Sequence, residues 1–298
     1  MLSWRRNSGR GVLAGVVILS LALDVLIYLY PGFWNHNSEY KWSVLWHGKK
    51  LACLWVFPVF CLLLLSAYWL WQRLSKKIGA NVLDIFSASL IFLLGILSPL
   101  VFTQIDRYGS YELLIRVFVA DHTGYFTDAV KLKNRQELVS TYLKNWSSLS
   151  THSRTHPPGA ILVFMGLNRV AERSRRLQSF YQALTKESAR RELQEHFQVD
   201  LAEQTAGMLA LILMLGSSAV AAGLGYFLLR RFYSAELSFI SCLALVSLPA
   251  FSHKAPVMDY VFAVFILGPS LIALLGFGKG RGVLPGRDRG RVGHPMDW

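Results

Sequence analysis

Long blocks of apolar residues, separated by short charged segments, constrain the fold of this 298-residue chain more than any other feature. Each of six such blocks is close to the length that an α-helix needs to cross about 30 Å of hydrocarbon. The blocks are Gly11–Tyr30, Leu51–Trp71, Ala80–Phe102, Ala206–Leu229, Ala235–Phe251 and Val257–Phe277. The pattern predicts an all-α fold, that of a polytopic helical membrane protein.

The basic residues explain the orientation of the chain better than they explain nucleic-acid binding. The net charge is +13, but the basic residues form short clusters beside the apolar blocks instead of following one soluble face. Clusters at 5–10 and 73–77 place the N-terminus in the cytoplasm under the positive-inside rule. Three crossings then place the chain after Phe102 outside. We therefore expect membrane lipids, and no nucleic acid, as partners.

The apolar segment Gly159–Val170 is shorter than a membrane span and leaves two topologies open. If it crosses the membrane, Arg230, Arg231 and the basic tail lie outside, against the positive-inside rule. If it only dips into the interface, those residues lie inside. We favour the second topology, which has six crossings, a cytoplasmic N-terminus and a single long extracytoplasmic region, 103–205.

The outer region is predicted to include juxtamembrane helices. Ala171–Gln204 has apolar residues at spacings of three and four, which predicts an amphipathic helix or helix pair lying on the bilayer. The chain then divides into an N-terminal two-helix segment, 1–79, a membrane core, 80–277, that includes the outer region, and a basic tail, 278–298. The tail is rich in glycine and arginine and is predicted to be disordered.

The segment Ser150–Gly159 is the first candidate site, because histidine, arginine and two prolines lie there at the edge of an apolar run. Pro157 and Pro158 lack backbone donors and favour an extended preceding residue, so His156 is expected on a stiff turn at the membrane boundary. A side chain held there suits recognition of an anionic headgroup. The same pattern is typical of a helix that begins with prolines near a solvated histidine. Both interpretations stay open.

The segment Asp121–Asp128 is the second candidate site and shares a face with His156 on the favoured topology. Asp121 and His122 follow an apolar patch, so the Asp121 carboxylate is expected to be partly desolvated, which suits a general base. Asp128 lies seven residues further on, on the same face if this segment is helical. The alternative is that Asp121 is a helix N-cap.

Two further polar residues precede the last apolar block. On the favoured topology Lys254 and Asp259 lie outside, within reach of the same surface. The Lys254 ammonium could pair with a phosphate as a point charge, or it could be an interfacial anchor. Cys53, Cys61 and Cys242 all lie in apolar runs without metal-ligand spacing. We therefore predict neither a disulfide framework nor a cofactor; a divalent metal is conceivable, but no ligand spacing supports it.

The run Asp121-His-Thr-Gly-Tyr-Phe-Thr-Asp-Ala, followed by Arg154-Thr-His-Pro-Pro-Gly159, resembles the first outer loop of GT-C superfamily membrane glycosyltransferases, in particular the protein mannosyltransferase and aminoarabinose transferase group. Those enzymes have an acidic pair early in this loop and a His-Pro-Pro or Lys-Pro element where the chain re-enters the membrane. The turn at 228–237 and Met258-Asp259 also look like elements of the family. The resemblance covers roughly 80–277. Family members usually continue through several more helices, so a fragment, a frameshifted product and a minimal relative are the open interpretations.

The resemblance implies a glycosyltransferase that moves a sugar from a polyprenyl-phosphate donor to an acceptor on the extracytoplasmic face. It implies Asp121 as the general base, and His156 with Arg154 as ligands of the donor phosphate. His122 stands where the family usually has a second acid. The remaining predicted substrate-binding residues are His122, Asp128, Lys254 and Asp259. The alternative is a non-catalytic integral membrane protein that binds a lipid or protein partner, with the His-Pro-Pro element as an architectural turn.

Overall fold

The computed structural model describes residues 55–105, 109–119, 124–132, 134–156, 158–248 and 257–278, together with the helical positions 11, 15, 18, 19 and 22. In the continuous ranges we number twelve α-helices, and no strand occurs there. They are α1 Val56–Leu74, α2 Ala80–Phe102, α3 Glu112–Phe118, α4 Tyr125–Lys131, α5 Arg135–Lys144, α6 Thr151–Thr155, α7 Gly159–Arg173, α8 Arg175–Leu184, α9 Glu187–Phe197, α10 Leu201–Leu229, α11 Ala235–Ser247 and α12 Asp259–Gly278. Short 3-10 turns lie at Thr103–Ile105, Gly109–Tyr111 and Trp146–Ser148.

Four of these helices, α1, α2, α10 and α12, are long and apolar enough to cross a membrane. They confirm the all-α class and indicate an integral membrane protein. The predicted span Ala235–Phe251 corresponds to α11, an apolar helix of 13 residues, and residues 249–256 lie outside the described part. Most of the first apolar block and the tail after Gly278 also lie outside the described residues.

Helices α2 and α10 form the centre of the bundle and run antiparallel. Asp84, near the start of α2, contacts Tyr226 near the end of α10, and Gly95 lies against Ala219. A Cβ atom on Gly95 would come within 3.0 Å of the Ala219 Cα atom. Small residues let two apolar helices approach this closely and gain van der Waals contact, which is the usual way that membrane helices associate.

The two basic turns of the chain lie at the same end of the bundle, which we call the basic end. The Arg230 Nε atom is 2.7 Å from Asp84 Oδ1, and this ion pair joins the end of α10 to the start of α2. The turn at 73–77 connects α1 to the same start of α2. At this end Trp71 stacks on Phe239 of α11, with ring centroids 5.3 Å apart.

The segment between α2 and α10 folds as a helical cap at the opposite end, which we call the outer end. Its core is built from α3 to α9, the first half of α10 and the start of α12. The amphipathic segment predicted at 171–204 is a helix pair, α8 and α9, whose residues Tyr181 and Leu193 are buried in this core. The apolar run Gly159–Val170 forms α7, a helix of 15 residues that is not among the span candidates.

Candidate functional site

The first candidate segment forms a short helix followed by a bend. Ser150 begins α6: its carbonyl accepts from the Arg154 amide at 3.0 Å, and its Oγ accepts from the Ser153 amide at 3.4 Å. His156 lies in the bend after α6, and Pro158 directly precedes α7 with helical backbone angles. The proline-led helix start anticipated from the sequence is therefore present. This architecture is compatible with a binding role for His156.

Asp128 of α4 fastens the start of α6. Its side chain is 2% exposed, and its Oδ2 atom accepts hydrogen bonds from the Ser150 amide at 2.9 Å and the Ser150 hydroxyl at 2.7 Å. That hydroxyl also lies 3.0 Å from the Oγ atom of Ser153, which is fully buried. A buried carboxylate needs such donors, because desolvation without them is costly. Asp128 thus stabilises the start of the short helix that leads to His156.

Tyr142 of α5 holds the end of the same short helix. Its hydroxyl donates to the carbonyl oxygens of Ser153 and His156, the latter at 3.1 Å. Burial raises the pKa of the Tyr142 phenol, and the nearby charge of Asp128 raises it further. The phenol therefore stays protonated at neutral pH and remains a hydrogen-bond donor. Its two contacts fix the backbone from which the His156 side chain projects.

The ring of His156 contacts α4 while remaining partly accessible. It lies edge-on to the ring of Tyr125, with centroids 6.1 Å apart, and Tyr125 in turn stacks on Phe164 of α7 at 6.4 Å. Arg154 is exposed, and its Nη2 atom donates to Thr151 Oγ1 at 3.2 Å. An imidazole and a guanidinium two residues apart, one of them anchored by aromatic contact, could together bind an anion such as a phosphate.

The orientation of α7 sets the depth of this site. The carboxylates of Glu172, at the end of α7, and Glu203, in the first turn of α10, are close enough to interact electrostatically. Tyr181 of the following helix hydrogen-bonds Gln204 at 3.1 Å. Because α7 packs along α10, the two helices run antiparallel, and the 15 residues of α7 extend for about 22 Å.

The start of α7, and His156 just before it, therefore lies roughly 20 Å along α10 from its first turn. Counting about 20 residues, or 30 Å, from Arg230 at the basic end puts the other hydrocarbon boundary near Ala210. Helix α2 ends at a similar level, because Gly95 is opposite Ala219. By this count the bend with His156 lies at about the level of residue 216 of α10, roughly 9 Å to the hydrocarbon side of that boundary.

The other predicted site residues divide into two groups. Asp121, His122 and Lys254 lie outside the described residues. Asp259 is the first residue of α12 and is exposed, whereas its neighbour Met258 is buried in the core of the cap. The structure therefore joins Asp128 to the segment with Arg154 and His156. Within the described ranges, no group of three or more His, Cys, Asp and Glu side chains could hold a metal ion.

Sequence reasoning included Ser150 in the candidate segment without assigning it a role, and it missed Tyr142; these two residues connect the site to its support. Tyr142 lies four residues after the buried Leu138, so helical periodicity could have assigned it to the inner face of α5. No sequence signal identifies its acceptors, which lie 11 and 14 residues further along the chain.

Comparison with known proteins gives no match: no family model, no curated protein and no solved structure is significantly similar to this chain. The class of protein rests on the helices themselves, which define an all-α integral membrane protein.

Proposed function

We propose that this chain is a membrane glycosyltransferase that moves a sugar from a polyprenyl-phosphate donor to an acceptor on the extracytoplasmic face. In this proposal the N-terminus and the basic end are cytoplasmic, and the cap formed by 103–205 is extracytoplasmic. The common location of Arg73 and Arg230 at one end supports this orientation, because basic residues are enriched on the cytoplasmic side.

The contact between the His156 and Tyr125 rings, which the residue count places within about 10 Å of the outer hydrocarbon boundary, is the observation on which the proposal mainly rests. A polyprenyl-phosphate donor has its phosphate at that boundary while its chain stays in the hydrocarbon. Asp121 is joined to Tyr125 by four peptide units, which reach at most about 14 Å. Because Tyr125 contacts His156, this short connection keeps the proposed base, Asp121, close to the proposed phosphate ligand, His156.

The chemistry divides between these residues. Asp121 accepts the proton of the acceptor hydroxyl or amine, because a neutral hydroxyl is a weak nucleophile. His156 and Arg154 hold the donor phosphate, on which negative charge builds as the bond to the sugar breaks. Direct attack by the acceptor inverts the anomeric centre. Asp128 and Tyr142 hold the bend that presents His156.

A second candidate function is that of a non-catalytic integral membrane protein that binds a lipid or protein partner. One observation favours it: Asp128 and Tyr142 both make hydrogen bonds that stabilise the bend, which is also what an architectural turn requires. In that case His156 completes the packing against Tyr125, and the cap provides a surface for a partner.

Two substitutions distinguish the role of Asp121 as a catalytic base from the role of His156 as a ligand of the donor phosphate. Asp121→Asn keeps the size of the side chain but cannot accept the proton, so turnover should fall by about 10²–10⁴-fold while donor binding stays near the parent value. His156→Ala should weaken donor binding by about 1.5–3 kcal/mol through loss of a charge-assisted contact. The assays use purified full-length protein and polyprenyl-phosphate sugars.

Matched controls are Glu195→Gln and His196→Ala, both exposed positions of α9, which should leave turnover and binding unchanged. If Asp121→Asn transfers sugar as well as the parent, Asp121 is not the base. If the parent neither binds nor transfers any such donor, the non-catalytic function replaces the enzyme.

A further inference from the structure

Helix α5 has an exposed apolar stripe on its side. Val139 is 50% exposed, Leu143 78% and Trp146, in the 3-10 turn that follows, 56%. Val139 and Leu143, four residues apart, lie on one side of the helix. Trp146 follows them in the chain, beyond Asn145, where the backbone leaves the helical conformation. The buried Leu138 and the partly buried Tyr142 occupy a different face, which packs into the cap. The stripe is therefore additional to the residues that attach α5 to the protein.

Single exposed apolar side chains are common and need no explanation, but three large ones in a row are a candidate contact surface. The side-chain contacts of α5 fix its depth along the bundle. Tyr142 lies between Val139 and Leu143 in the chain and hydrogen-bonds the carbonyl of His156 at 3.1 Å. Because the bend with His156 lies roughly 9 Å to the hydrocarbon side of the outer boundary, this hydrogen bond places the stripe within about 10 Å of that boundary.

We propose that this stripe inserts into the bilayer that α1, α2, α10 and α12 cross, at the level where headgroups meet acyl chains. Tryptophan is favoured at that depth, where its ring is in an apolar layer and its N–H can reach water or headgroups. Lys144, exposed and next to Leu143, provides a cation whose stem can extend along the interface towards lipid phosphate.

This docking holds α5 against the membrane and, through Tyr142, holds the bend at His156 at a constant depth. The inference depends neither on the proposed sugar transfer nor on which end of the bundle is cytoplasmic. The occupant is the lipid of the same membrane; a second copy of the chain and a partner protein are the alternatives that the following experiment separates.

The experiment uses full-length protein in vesicles of phosphatidylcholine and phosphatidylglycerol at a 3:1 ratio (about physiological anionic content), with the three native cysteines replaced. A nitroxide label is attached to Leu143→Cys. Leu65→Cys on α1, exposed within a span, is the lipid control, and Ser188→Cys on α9 is the water control. Collision with oxygen, relative to collision with a water-soluble nickel chelate, should be several-fold higher at 143 than at 188 and should approach the value at 65.

A ratio at 143 equal to that at 188 would overturn the proposal. So would dipolar broadening at 143 that disappears when unlabelled protein is added, because the stripe would then contact a second copy. A third contrary result is protection of the label at 143 from both oxygen and the nickel chelate, as expected if a partner protein covers it.

A milder variant tests the same point without a label. Trp146→Phe keeps an aromatic ring but removes one indole fluorophore. In vesicles with phosphatidylcholine brominated near the top of the acyl chain, bromine should quench the Trp146 fluorescence. The fluorescence that the substitution removes should therefore be fluorescence that bromine quenches in the parent protein. If the lost emission is instead quenched by iodide in the water and not by bromine, Trp146 lies outside the lipid and the proposal is wrong.

Discussion

At the scale of single residues, the buried carboxylate of Asp128 shows how a polar group can stabilise a site without contacting a ligand. Two donors from Ser150 reach the same oxygen atom, and both belong to the residue that begins α6. Loss of the Ser150 hydroxyl would leave the buried Asp128 carboxylate with one hydrogen-bond donor fewer. An unsatisfied buried acceptor lowers the stability of a protein by more than its paired hydrogen bond raises it. The stability of α6 should therefore depend strongly on the Ser150 hydroxyl.

We predict that Ser150→Ala lowers the free energy of unfolding by about 1–3 kcal/mol, because the hydroxyl bonds a buried carboxylate. Ser148→Ala is the matched control, since the Ser148 hydroxyl makes one exposed bond to the Asn145 carbonyl, at 2.8 Å. That change should stay within about 0.5 kcal/mol. Thermal unfolding of the purified protein in one detergent measures both. Equal midpoints for the two variants would contradict the proposed role of Asp128.

At the scale of helices, the cap is attached to the bundle by a close contact between α3 and α10. Phe118, the last residue of α3, packs its ring directly on Gly207 of α10, and a Cβ atom added there would come within 2.8 Å of the Phe118 Cε1 atom. The ring cannot easily move away, because it also contacts Phe126 at 4.9 Å and Phe197 at 5.9 Å.

We predict that Gly207→Ala destabilises the protein by about 1–3 kcal/mol through overpacking. Gly216→Ala, in the same helix with nothing within 4 Å of the added atom, should be neutral or slightly stabilising. Thermal unfolding measures the difference, and Phe118→Leu combined with Gly207→Ala should recover part of the loss. A Gly207→Ala protein as stable as the Gly216→Ala protein would show that the two helices separate more easily than their packing indicates.

At the scale of the whole molecule, the antiparallel pairing of α2 with α10 places both basic turns at one end and the cap at the other. If both helices cross the membrane, this arrangement requires an even number of crossings in the segment between them, and no described helix of that segment is among the span candidates. It agrees with the topology in which Gly159–Val170 only dips into the interface. Which side is cytoplasmic stays a prediction from the distribution of lysine and arginine.

Cysteine labelling tests this orientation. In a background without native cysteines, we expect a membrane-impermeant maleimide added outside intact cells to modify Ser140→Cys in the cap and not Lys76→Cys in the basic turn, both of which are exposed positions. Permeabilised cells should show labelling at both, which controls for reactivity. Labelling of Lys76→Cys alone in intact cells would reverse the proposed orientation, and labelling of both would contradict the antiparallel arrangement.

Much of the architecture could be predicted because membrane insertion of a helix depends on the summed hydropathy of its own consecutive residues. A helix crosses a bilayer if about 20 consecutive residues are apolar, so hydropathy alone located α1, α2, α10 and α12. The helix pair α8 and α9 followed from spacings of three and four residues in the same way. The short apolar segment at 159–170 could not be assigned, since its length fits a dip or a partial crossing equally well.

The site was less predictable, because its connections join residues that are distant in sequence. Asp128 was expected to bind substrate, and the structure buries it under Ser150, 22 residues further along. His156 was expected on a stiff turn at the membrane boundary; it lies in the bend that follows α6, and its position at the boundary stays a prediction. The role of Tyr142 depends on its hydrogen bond to the His156 carbonyl, a tertiary contact that the helical spacing of apolar residues does not predict.

The sequence by itself therefore determined the class of this protein, an all-α integral membrane protein, because the transfer of each helix into lipid depends on its own composition. Only the tertiary structure decided that α7 folds back along α10, that Asp128 supports α6 and that α5 has an apolar stripe beside the residues that attach it to the cap. Each of these features depends on which surfaces meet after the chain has folded, and a packed core selects those contacts by shape and by hydrogen-bond partners.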